Sequence, residues 1–382
     1  MTPAARFAAA IEILDGVSEG KALEPALLAW TRSHRFAGSK DRAALRDIVF
    51  SIYRRRASCA AMGNGLDGMA LVRGYLAQEG VNESEVFGSG GYAPPAIGAD
   101  DPLTIAWEAL SNTIKADLQP WVWRKFQAEY GEEAHALADA LRHRAPVWVR
   151  VNPKKANPKA VMADLEERGF SPAPHATCKT ALRLGANERK IGQDPAYLEG
   201  LIELQDLAPQ AAVEALDLEP GNTVLDYCAG GGGKSLAMAA LGASVTAHDS
   251  ELGRMKDIPA RAARAGVKIE QVSELERQKY DLVLCDVPCS GSGAWRRATA
   301  NKWSLTEADL SELVARQREI VRHALAHVKS GGRLAYMTCS LLAEENREQT
   351  SWLSDKLQLL QEQQWTPLLG ADGFYLATFR KS

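Results

Sequence analysis

The chain has 382 residues, of which 46% are hydrophobic, and a formal net charge of −3. This length favours two or three domains, and the composition excludes collagen-like and largely disordered chains. Apolar runs of membrane-spanning length and an apolar signal-peptide stretch are both absent from the sequence, so we expect a cytoplasmic protein. The 6 cysteines form no Cys-X-X-Cys pair. Zinc and thioredoxin-type sites are therefore disfavoured, and we expect no metal and reduced thiols.

The first hundred or so residues show helical periodicity. Leu45, Ile48, Val49 and Ile52 follow the spacing of one apolar helix face, and Ser39 stands before them as a candidate N-cap. We therefore predict a helical bundle here. The glycine- and proline-rich stretch Gly88–Asp101 indicates a loop or linker after it.

Residues 32–56 carry 8 basic side chains and 2 acidic ones. Nucleic-acid binding needs a local basic face of this kind rather than a basic chain. On composition alone, a solvated helical face is slightly favoured as the explanation of the stretch.

The middle of the chain combines helical and strand patterns. We predict helices and strands at Leu103–Ile114, Trp121–Tyr130, Glu132–Arg142, Val147–Val151 (strand), Ala160–Arg168 and Ala181–Leu184 (strand). These elements indicate a small α+β module.

From about Leu204 strands and helices alternate. The predicted strands are Thr223–Tyr227, Ser244–Asp249, Lys268–Val272, Leu282–Asp286, Arg333–Thr338 and Phe374–Phe379. The predicted helices are Gln210–Ala215, Lys234–Ala240, Leu252–Ala265, Glu307–Val328 and Glu344–Leu359. Such alternation predicts an α/β fold with a mostly parallel, doubly wound sheet.

A glycine loop follows the first of these strands. Asp226 ends the strand, and Gly230–Gly233 lead into Lys234 and a helix. A phosphate-binding P-loop would need glycine where Cys228 stands, so that motif fails. Asp249 ends the next strand about 20 residues further on, where a carboxylate can bind ribose hydroxyls. The loop therefore suits an adenosine-containing ligand, although a tight structural turn would use the same glycines.

Two cysteines follow two other strands. Residues 286–291 read Asp-Val-Pro-Cys-Ser-Gly, and residues 338–340 read Thr-Cys-Ser. Ligands of open α/β sheets bind at the carboxyl ends of the strands, so Cys289 and Cys339 should face the same pocket as the glycine loop. Because thiolate is a strong nucleophile, two such thiols suggest covalent catalysis.

These motifs resemble a known family. Asp226–Ser235 resembles the cofactor motif of class I S-adenosylmethionine-dependent methyltransferases. Asp286–Gly291 and Thr338–Ser340, with Glu345-Asn346 after them, resemble the two cysteine motifs of the Nop2/Sun (RsmB-type) RNA cytosine-5 methyltransferases. The helical N-terminus, through Gly38–Arg42, is similar to the NusB-like domain of bacterial RsmB proteins, which act on small-subunit ribosomal RNA.

The resemblance implies an organisation and a cofactor. We expect a NusB-like helical RNA-binding domain at residues 1–115, a small α+β RNA-binding subdomain at 116–195 and a Rossmann-like class I methyltransferase domain at 196–382. The implied cofactor is S-adenosyl-L-methionine and the implied partner is RNA, with no membrane. The implied cofactor-binding residues are Asp226, Cys228, Ala229, Gly230, Gly231, Gly232, Gly233, Lys234, Asp249, Asp286 and Pro288.

The resemblance also implies catalytic roles. Cys339 is the expected nucleophile, and Cys289 is expected to assist release of the product. Asp286 is expected to contact the ring-nitrogen edge of cytosine, and Lys234 to orient the site or favour thiolate. The predicted RNA-binding residues are Arg54, Arg55, Arg56, Arg296, Arg297 and Lys302, of which the last three lie among Trp295 and Trp303.

The sequence departs from the family pattern at Thr299 and Ala300, where the family has proline and aspartate, and at two places in the predicted cofactor pocket. Gly230 and Gly231 stand where the family has alanine and proline, and Lys268–Leu275 lacks the aspartate expected to meet adenine. Three alternatives therefore stay open: a DNA cytosine-5 methyltransferase with its nucleophile in the Pro-Cys motif, a non-catalytic RNA-binding assembly factor, and a P-loop ATPase. The failed P-loop disfavours the third, and the Thr-Cys-Ser motif disfavours the first.

Overall fold

The computed structural model describes residues 1–98 and 105–382. The predicted loop Gly88–Asp101 and the predicted helix Leu103–Ile114 lie partly outside the described residues. The chain divides into two compact units. Residues 1–144 together with Trp295–Ser304 form one, which we call the helical unit, and residues 145–294 with 305–382 form the other, the α/β unit.

In the described residues of the helical unit, the regular secondary structure is all helical. The bounds of the helices are α1 Pro3–Ser18, α2 Leu23–Ser33, α3 Ser39–Arg54, α4 Arg56–Gly63, α5 Gly68–Glu79, α6 Asn112–Lys115, α7 Pro120–Tyr130, α8 Ala134–Ala140 and, numbered by its place in the chain, α14 Asn301–Ser304. Local signals explain several starts. The Asp67 carboxylate accepts a hydrogen bond from Ala70 N at 2.9 Å at the start of α5.

The predicted periodicity of α3 is confirmed, because Leu45, Val49 and Ile52 lie in the core of the helical unit. The predicted cap is displaced by one residue: Ser39 is the first helical residue, and Gly38 occupies the N-cap position. The described part of the predicted helix Leu103–Ile114 is not continuous. A 3₁₀ turn at Trp107–Ala109 and the short helix α6 stand there instead.

The α/β unit begins with a small antiparallel sheet. Its elements are β1 Val147–Val151, α9 Pro158–Glu167, β2 Pro172–Pro174, β3 Ala181–Leu184, α10 Pro195–Leu198 and β4 Ile202–Leu204, with strand order β2-β3-β1-β4. Val149, Leu165 and Leu182 are buried between this sheet and its helix. The predicted α+β module is therefore present.

A seven-stranded sheet follows, with strand order β10-β11-β9-β8-β5-β6-β7. Its strands are β5 Thr223–Asp226, β6 Ser244–His248, β7 Ile269–Val272, β8 Tyr280–Asp286, β9 Val328–Thr338, β10 Gln358–Trp365 and β11 Phe374–Arg380. Its helices are α11 Leu207–Glu214, α12 Gly233–Ala240, α13 Ile258–Ala265, α15 Glu307–Ala324 and α16 Arg347–Ser354. The run from β9 to β7 is parallel, which confirms the predicted doubly wound α/β fold.

Two predicted helices of this unit were wrong in extent. The predicted helix Leu252–Ala265 starts as α13 only at Ile258, after a 3₁₀ turn. The predicted helix Glu344–Leu359 ends at Ser354, and the edge strand β10 follows it. Glutamine-rich β10 has no strand-like alternation of its own, and it is a strand because it pairs antiparallel with β11.

Across residues 1–98 and 105–382, no helix is both long and apolar enough to cross a membrane.

Candidate active site

The predicted site residues meet at one edge of the large sheet. Asp226, Asp286 and Thr338 are the last residues of the adjacent strands β5, β8 and β9. The strands are parallel and in register, with Asp226 opposite Leu284 and Asp286 opposite Met337. The glycine loop and both cysteine motifs therefore leave the sheet at the same edge, where open α/β sheets bind ligands.

The glycine loop is tied to the end of β6. Gly230 and Gly232 have φ values of 51° and 75°, a conformation that favours glycine. Gly230 N donates a hydrogen bond of 2.9 Å to Asp249 Oδ2. A Cβ atom on Gly232 would lie 2.7 Å from a side-chain carbon of Ile258, so glycine is needed for space as well as for φ.

Asp249 is almost fully buried and has several partners. Besides Gly230 N, its carboxylate accepts a 2.9 Å hydrogen bond from Glu251 N and lies 3.2 Å from the Arg254 guanidinium. Asp249, the residue predicted to bind the ribose, therefore also fixes the shape of the glycine loop. On the neighbouring strand, burial raises the pKa of Asp226 to about 6, against the effect of a 2.6 Å hydrogen bond from the Ser235 hydroxyl.

An arginine braces the loop where the family has proline. The Arg261 guanidinium donates to the carbonyl oxygen of Gly231, and a Cβ atom on Gly231 would lie 3.2 Å from it. Arg261 also lies 3.1 Å from Glu203, which Arg264 binds through two hydrogen bonds of 2.8 Å. Sequence reasoning missed Arg261 and Glu203, because nothing in their local pattern distinguishes them from surface charges.

The residues around the loop fit S-adenosylmethionine. The Oε1 atom of Gln205 is buried and has no hydrogen-bond partner among the described residues. The amide of Gln205 lies beside Gly233, since a Cβ atom there would be 3.7 Å from Gln205 Nε2. A buried acceptor of this kind suits the ammonium of the ligand's amino-acid end, because an unpaired buried polar atom is costly. Gln205 is thus a further candidate ligand.

The two predicted cysteines are adjacent. Cys289 Sγ and Cys339 Sγ are 3.3 Å apart, within hydrogen-bonding distance for sulfur, and both side chains are partly exposed. The hydrogen bond with Cys339 and burial both raise the pKa of the Cys289 thiol well above its usual value. The arrangement therefore favours the protonated thiol at Cys289.

Lys234 and Asp286 form an ion pair at the same edge. Lys234 Nζ lies 2.5 Å from Asp286 Oδ2 and 5.2 Å from the centre of the Phe374 ring. Burial disfavours the ammonium, but the Asp286 carboxylate outweighs burial and raises the pKa of Lys234. A charged lysine thus stands between the glycine loop and the first cysteine motif.

Asn346 shapes the turn that carries Cys339. Its Oδ1 atom accepts a hydrogen bond of 2.5 Å from the Thr338 hydroxyl, and its Nδ2 atom donates to the carbonyl of Ser340 at 2.9 Å. The side chain therefore binds the residues on both sides of Cys339. Of the remaining cysteines, Cys59, Cys178 and Cys285 are buried in hydrophobic clusters, and Cys228, a predicted cofactor-binding residue, lies partly exposed in the glycine loop.

Three predicted RNA ligands do not lie at the surface. Arg54, Arg296 and Lys302 are buried in the helical unit. Arg54 Nε donates to the carbonyl of Arg296 at 2.7 Å, and Lys302 Nζ donates to the carbonyl of Arg54 at 2.9 Å. Because buried cations cannot reach phosphates, the structure corrects the predicted phosphate contact for these three residues to an internal packing role.

The neighbouring predicted ligands are more accessible. Arg55 pairs with Glu79 at 2.6 Å, and Arg297 is exposed. The Arg56 guanidinium lies 5.7 Å from the centre of the Trp303 ring, a cation–π distance. Trp303 itself donates to the carbonyl of Tyr53 at 2.8 Å. Trp303 and the fully buried Trp295 are therefore packing residues of the helical unit rather than platforms for bases.

Two family models match the segments that form this site. A model of the 16S rRNA methyltransferase RsmB/F matches residues 213–379, which contain the glycine loop and both cysteine motifs. Over these residues the chain is similar to the RsmB/F methyltransferase family. A second model, of the ferredoxin-like domain of RsmF/B-like methyltransferases, matches residues 119–189. These matches confirm the predicted class I methyltransferase fold and the predicted S-adenosylmethionine cofactor.

Curated relatives share part of their length with the chain. Ribosomal RNA small subunit methyltransferase B of Serratia proteamaculans (strain 568) is 33% identical over 255 residues, which are 64% of this chain and 59% of that protein. The protein of the same name from Escherichia coli O6:K15:H31 (strain 536 / UPEC) is 33% identical over 236 residues, 59% of this chain and 55% of that protein. The chain thus spans less than two thirds of the length of these relatives.

Solved structures share the fold of this chain. PH0851 has a TM-score of 0.76 and 22% identity, with 100% of this chain and 99% of that chain covered. A methyltransferase homolog protein from Pyrococcus horikoshii has a TM-score of 0.64 and 25% identity, with 73% and 100% covered. NSun6 from Pyrococcus horikoshii, solved with SFG, has a TM-score of 0.61 and 18% identity, with 68% and 97% covered.

Proposed function

We propose that this chain methylates carbon 5 of cytosine in small-subunit ribosomal RNA, through a covalent adduct with Cys339. The observation that carries the proposal is the pair of thiols 3.3 Å apart at the sheet edge that also holds the glycine loop. The names of the curated relatives support ribosomal RNA as the substrate. The catalytic site residues and the RNA contacts are part of this proposal.

The chemistry of cytosine explains why two thiols are needed. Carbon 5 is a poor nucleophile until a thiolate adds to carbon 6 and shifts electron density onto it. Bound S-adenosylmethionine supplies the electrophilic methyl group. Asp286 would bind the ring-nitrogen edge and stabilise the adduct. A base then removes the carbon 5 proton, and the sulfur–carbon 6 bond breaks to release Cys339 as thiolate.

The charges around the thiols support the division of roles. The Lys234 ammonium, paired with Asp286, stands at the same edge of the sheet as Cys339. The Cys289 thiol is kept protonated by its hydrogen bond with Cys339, by burial and by the negative charge of Glu345. Cys339 is therefore the better candidate for the nucleophile. To serve as the base at carbon 5, Cys289 first loses its proton to solvent, and its thiolate then takes the carbon 5 proton as the sulfur–carbon 6 bond breaks.

Replacing each cysteine tests the proposal. Cys339→Ala should abolish methylation and form no adduct, whereas Cys289→Ala should transfer methyl but release product slowly. The second variant should therefore accumulate a protein–RNA species that survives a denaturing gel. Cys178→Ala, which removes a thiol outside the site, should behave like the wild type. An adduct that forms with Cys339→Ala instead would assign the nucleophile to Cys289.

Base identity and activity need separate measurements. Bisulfite sequencing of the RNA product should reveal a new 5-methylcytosine. RNA binding without any methyl transfer by the wild-type chain would favour the non-catalytic assembly factor. The reason for keeping that alternative is strand β7, which lacks the aspartate that the family uses to bind adenine.

A further inference from the structure

We propose that Glu345 is a positioning residue that holds the two cysteine loops together and so sets the separation of the Cys289 and Cys339 thiols. Its effect on catalysis rests on the function proposed above. Its effect on the distance between the thiols does not, and can be measured without RNA or cofactor.

The Glu345 carboxylate is fully buried and accepts four hydrogen bonds. Its Oε1 atom accepts from Ser290 N at 2.8 Å and from Gln317 Nε2 at 3.0 Å. Its Oε2 atom accepts from the hydroxyls of Ser290 and Ser340, each at 2.5 Å. Both oxygens are thus fully used, which is what a buried carboxylate requires.

The donors follow the two cysteines directly. Ser290 comes after Cys289 at the end of β8, and Ser340 comes after Cys339 at the end of β9. One carboxylate therefore bonds to both loops at the residue next to each thiol. Because charge-assisted hydrogen bonds are the short and strong ones, this is the strongest polar link that the structure shows between the loops.

Weaker bonds join the loops as well. The hydroxyls of Ser292 and Ser340 are 3.0 Å apart, and Gly293 N donates to the carbonyl of Cys339 at 2.9 Å. They allow the loops to remain folded when Glu345 is changed. The expected effect of a substitution is therefore a looser thiol pair rather than a lost fold.

A thiol–disulfide equilibrium reports the separation directly. Oxidised glutathione takes two electrons from Cys289 and Cys339, which form one disulfide and release two molecules of reduced glutathione. Thiols that are held close favour the disulfide, since their effective concentration is high. The equilibrium constant is measured in glutathione buffers, with the disulfide identified by mass spectrometry of peptides.

Glu345→Gln keeps the shape of the side chain but removes the negative charge. It also replaces one accepting oxygen with an NH2 group, which cannot accept the hydrogen bonds that the carboxylate receives. We expect its equilibrium constant to fall about tenfold, which is about 30 mV for a two-electron couple. Ser340→Ala should give a smaller shift in the same direction. Glu348→Gln makes the same chemical change on the exposed first turn of α16 and should leave the equilibrium unchanged.

The outcomes separate positioning from folding. For Glu345→Gln we expect an unchanged thermal midpoint within a few degrees, unchanged affinity for S-adenosylhomocysteine and RNA, and a lower kcat. Should Glu345→Gln unfold, Ser340→Ala alone carries the comparison. An equilibrium constant equal to the wild type's in both variants would overturn the proposal. So would a wild-type chain that forms no Cys289–Cys339 disulfide, because the thiols would not be within reach.

Failure of the proposed function looks different. If the wild type methylates no cytosine but Glu345→Gln shifts the disulfide equilibrium, the covalent mechanism is wrong. The positioning role of Glu345 is then still supported. If Glu345→Gln methylates cytosine normally and its disulfide equilibrium equals that of the wild type, the positioning role of Glu345 is wrong. The covalent mechanism is then still supported.

Discussion

The ammonium group of Lys302 lies 2.9 Å from the backbone carbonyl oxygen of Arg54 and donates a hydrogen bond to it inside the helical unit. Lys302 belongs to the segment Trp295–Ser304, which follows the first cysteine motif in the sequence but is part of the helical unit. Gln119 Nε2 donates to the carbonyl of Lys302 at 3.0 Å and strengthens the attachment. The helical unit thus holds a segment that continues from the Cys289 loop.

This buried lysine should make stability depend on pH. Burial lowers the pKa of Lys302 to about 7, against about 10.4 for an exposed lysine. Between these values the unfolded chain binds more protons, so the group adds stability as pH rises from about 7 towards 10. Below pH 7 its contribution is constant and unfavourable. We expect the free energy of unfolding of the wild type to rise relative to Lys302→Met by at most about 1.4 kcal/mol per pH unit.

Urea unfolding at pH 7, 8 and 9 measures this difference. Lys115→Met, which removes an amine with an exposed hydrogen bond, should follow the wild type at each pH. If the difference in free energy of unfolding between wild type and Lys302→Met stays constant with pH, the pKa of Lys302 is not lowered by burial.

RNA affinity should depend on exposed basic residues near α3 rather than on Arg54. We expect replacement of three exposed cations by glutamine to shallow the plot of log affinity against log salt by about 2, since each phosphate contact on a single strand contributes about 0.7. The three cations are Arg32, Arg35 and Lys40.

Filter binding at several salt concentrations gives the slope. A control of equal charge replaces exposed cations near the amino ends of β7 and β8, opposite the site: Lys268, Arg277 and Lys279. The control should keep the wild-type slope. Equal slopes for both triple variants would reduce the region around α3 to a solvated face.

Asp249 should be needed for cofactor affinity. Its carboxylate fixes Gly230 N and Glu251 N, so Asp249→Ala loses both the loop geometry and the candidate ribose ligand. We expect S-adenosylhomocysteine to bind at least tenfold more weakly by calorimetry, and ATP to show no binding to the wild type. Asp281→Ala, at the opposite end of β8, should bind normally. Tight ATP binding would contradict the cofactor assignment.

Arg261 should compensate for the missing proline of the glycine loop. Arg261→Gln removes the bond to Gly231 and frees a loop that contains four glycines. We expect affinity for S-adenosylhomocysteine to fall about threefold to tenfold, because the loop must be ordered on binding. Arg264→Gln breaks bonds to Glu203 but not to the loop. Arg264→Gln should therefore bind S-adenosylhomocysteine with almost normal affinity. Equal losses of affinity in both variants would show that the ion pairs with Glu203, rather than the bond to the loop, cause the effect.

Local patterns were enough to predict most of the α/β unit. Apolar runs marked the strands that end at Asp226, Asp286 and Thr338, and parallel strands bring their carboxyl ends to one edge whatever the details of packing. The glycine loop and the two cysteine motifs stand directly after those strands. Their convergence at one site could therefore be predicted before any contact was known.

The tertiary structure decided what those patterns do not encode. Strand β10 exists through its pairing with β11, and the role of Glu345 depends on donors from two loops that are 50 residues apart in the sequence. The burial of Lys302 depends on Arg54, which is 248 residues away. A basic residue has the same local signature whether it faces a phosphate or a buried carbonyl. Its partner is set by which distant segments pack together, and periodicity along the chain carries no information about that.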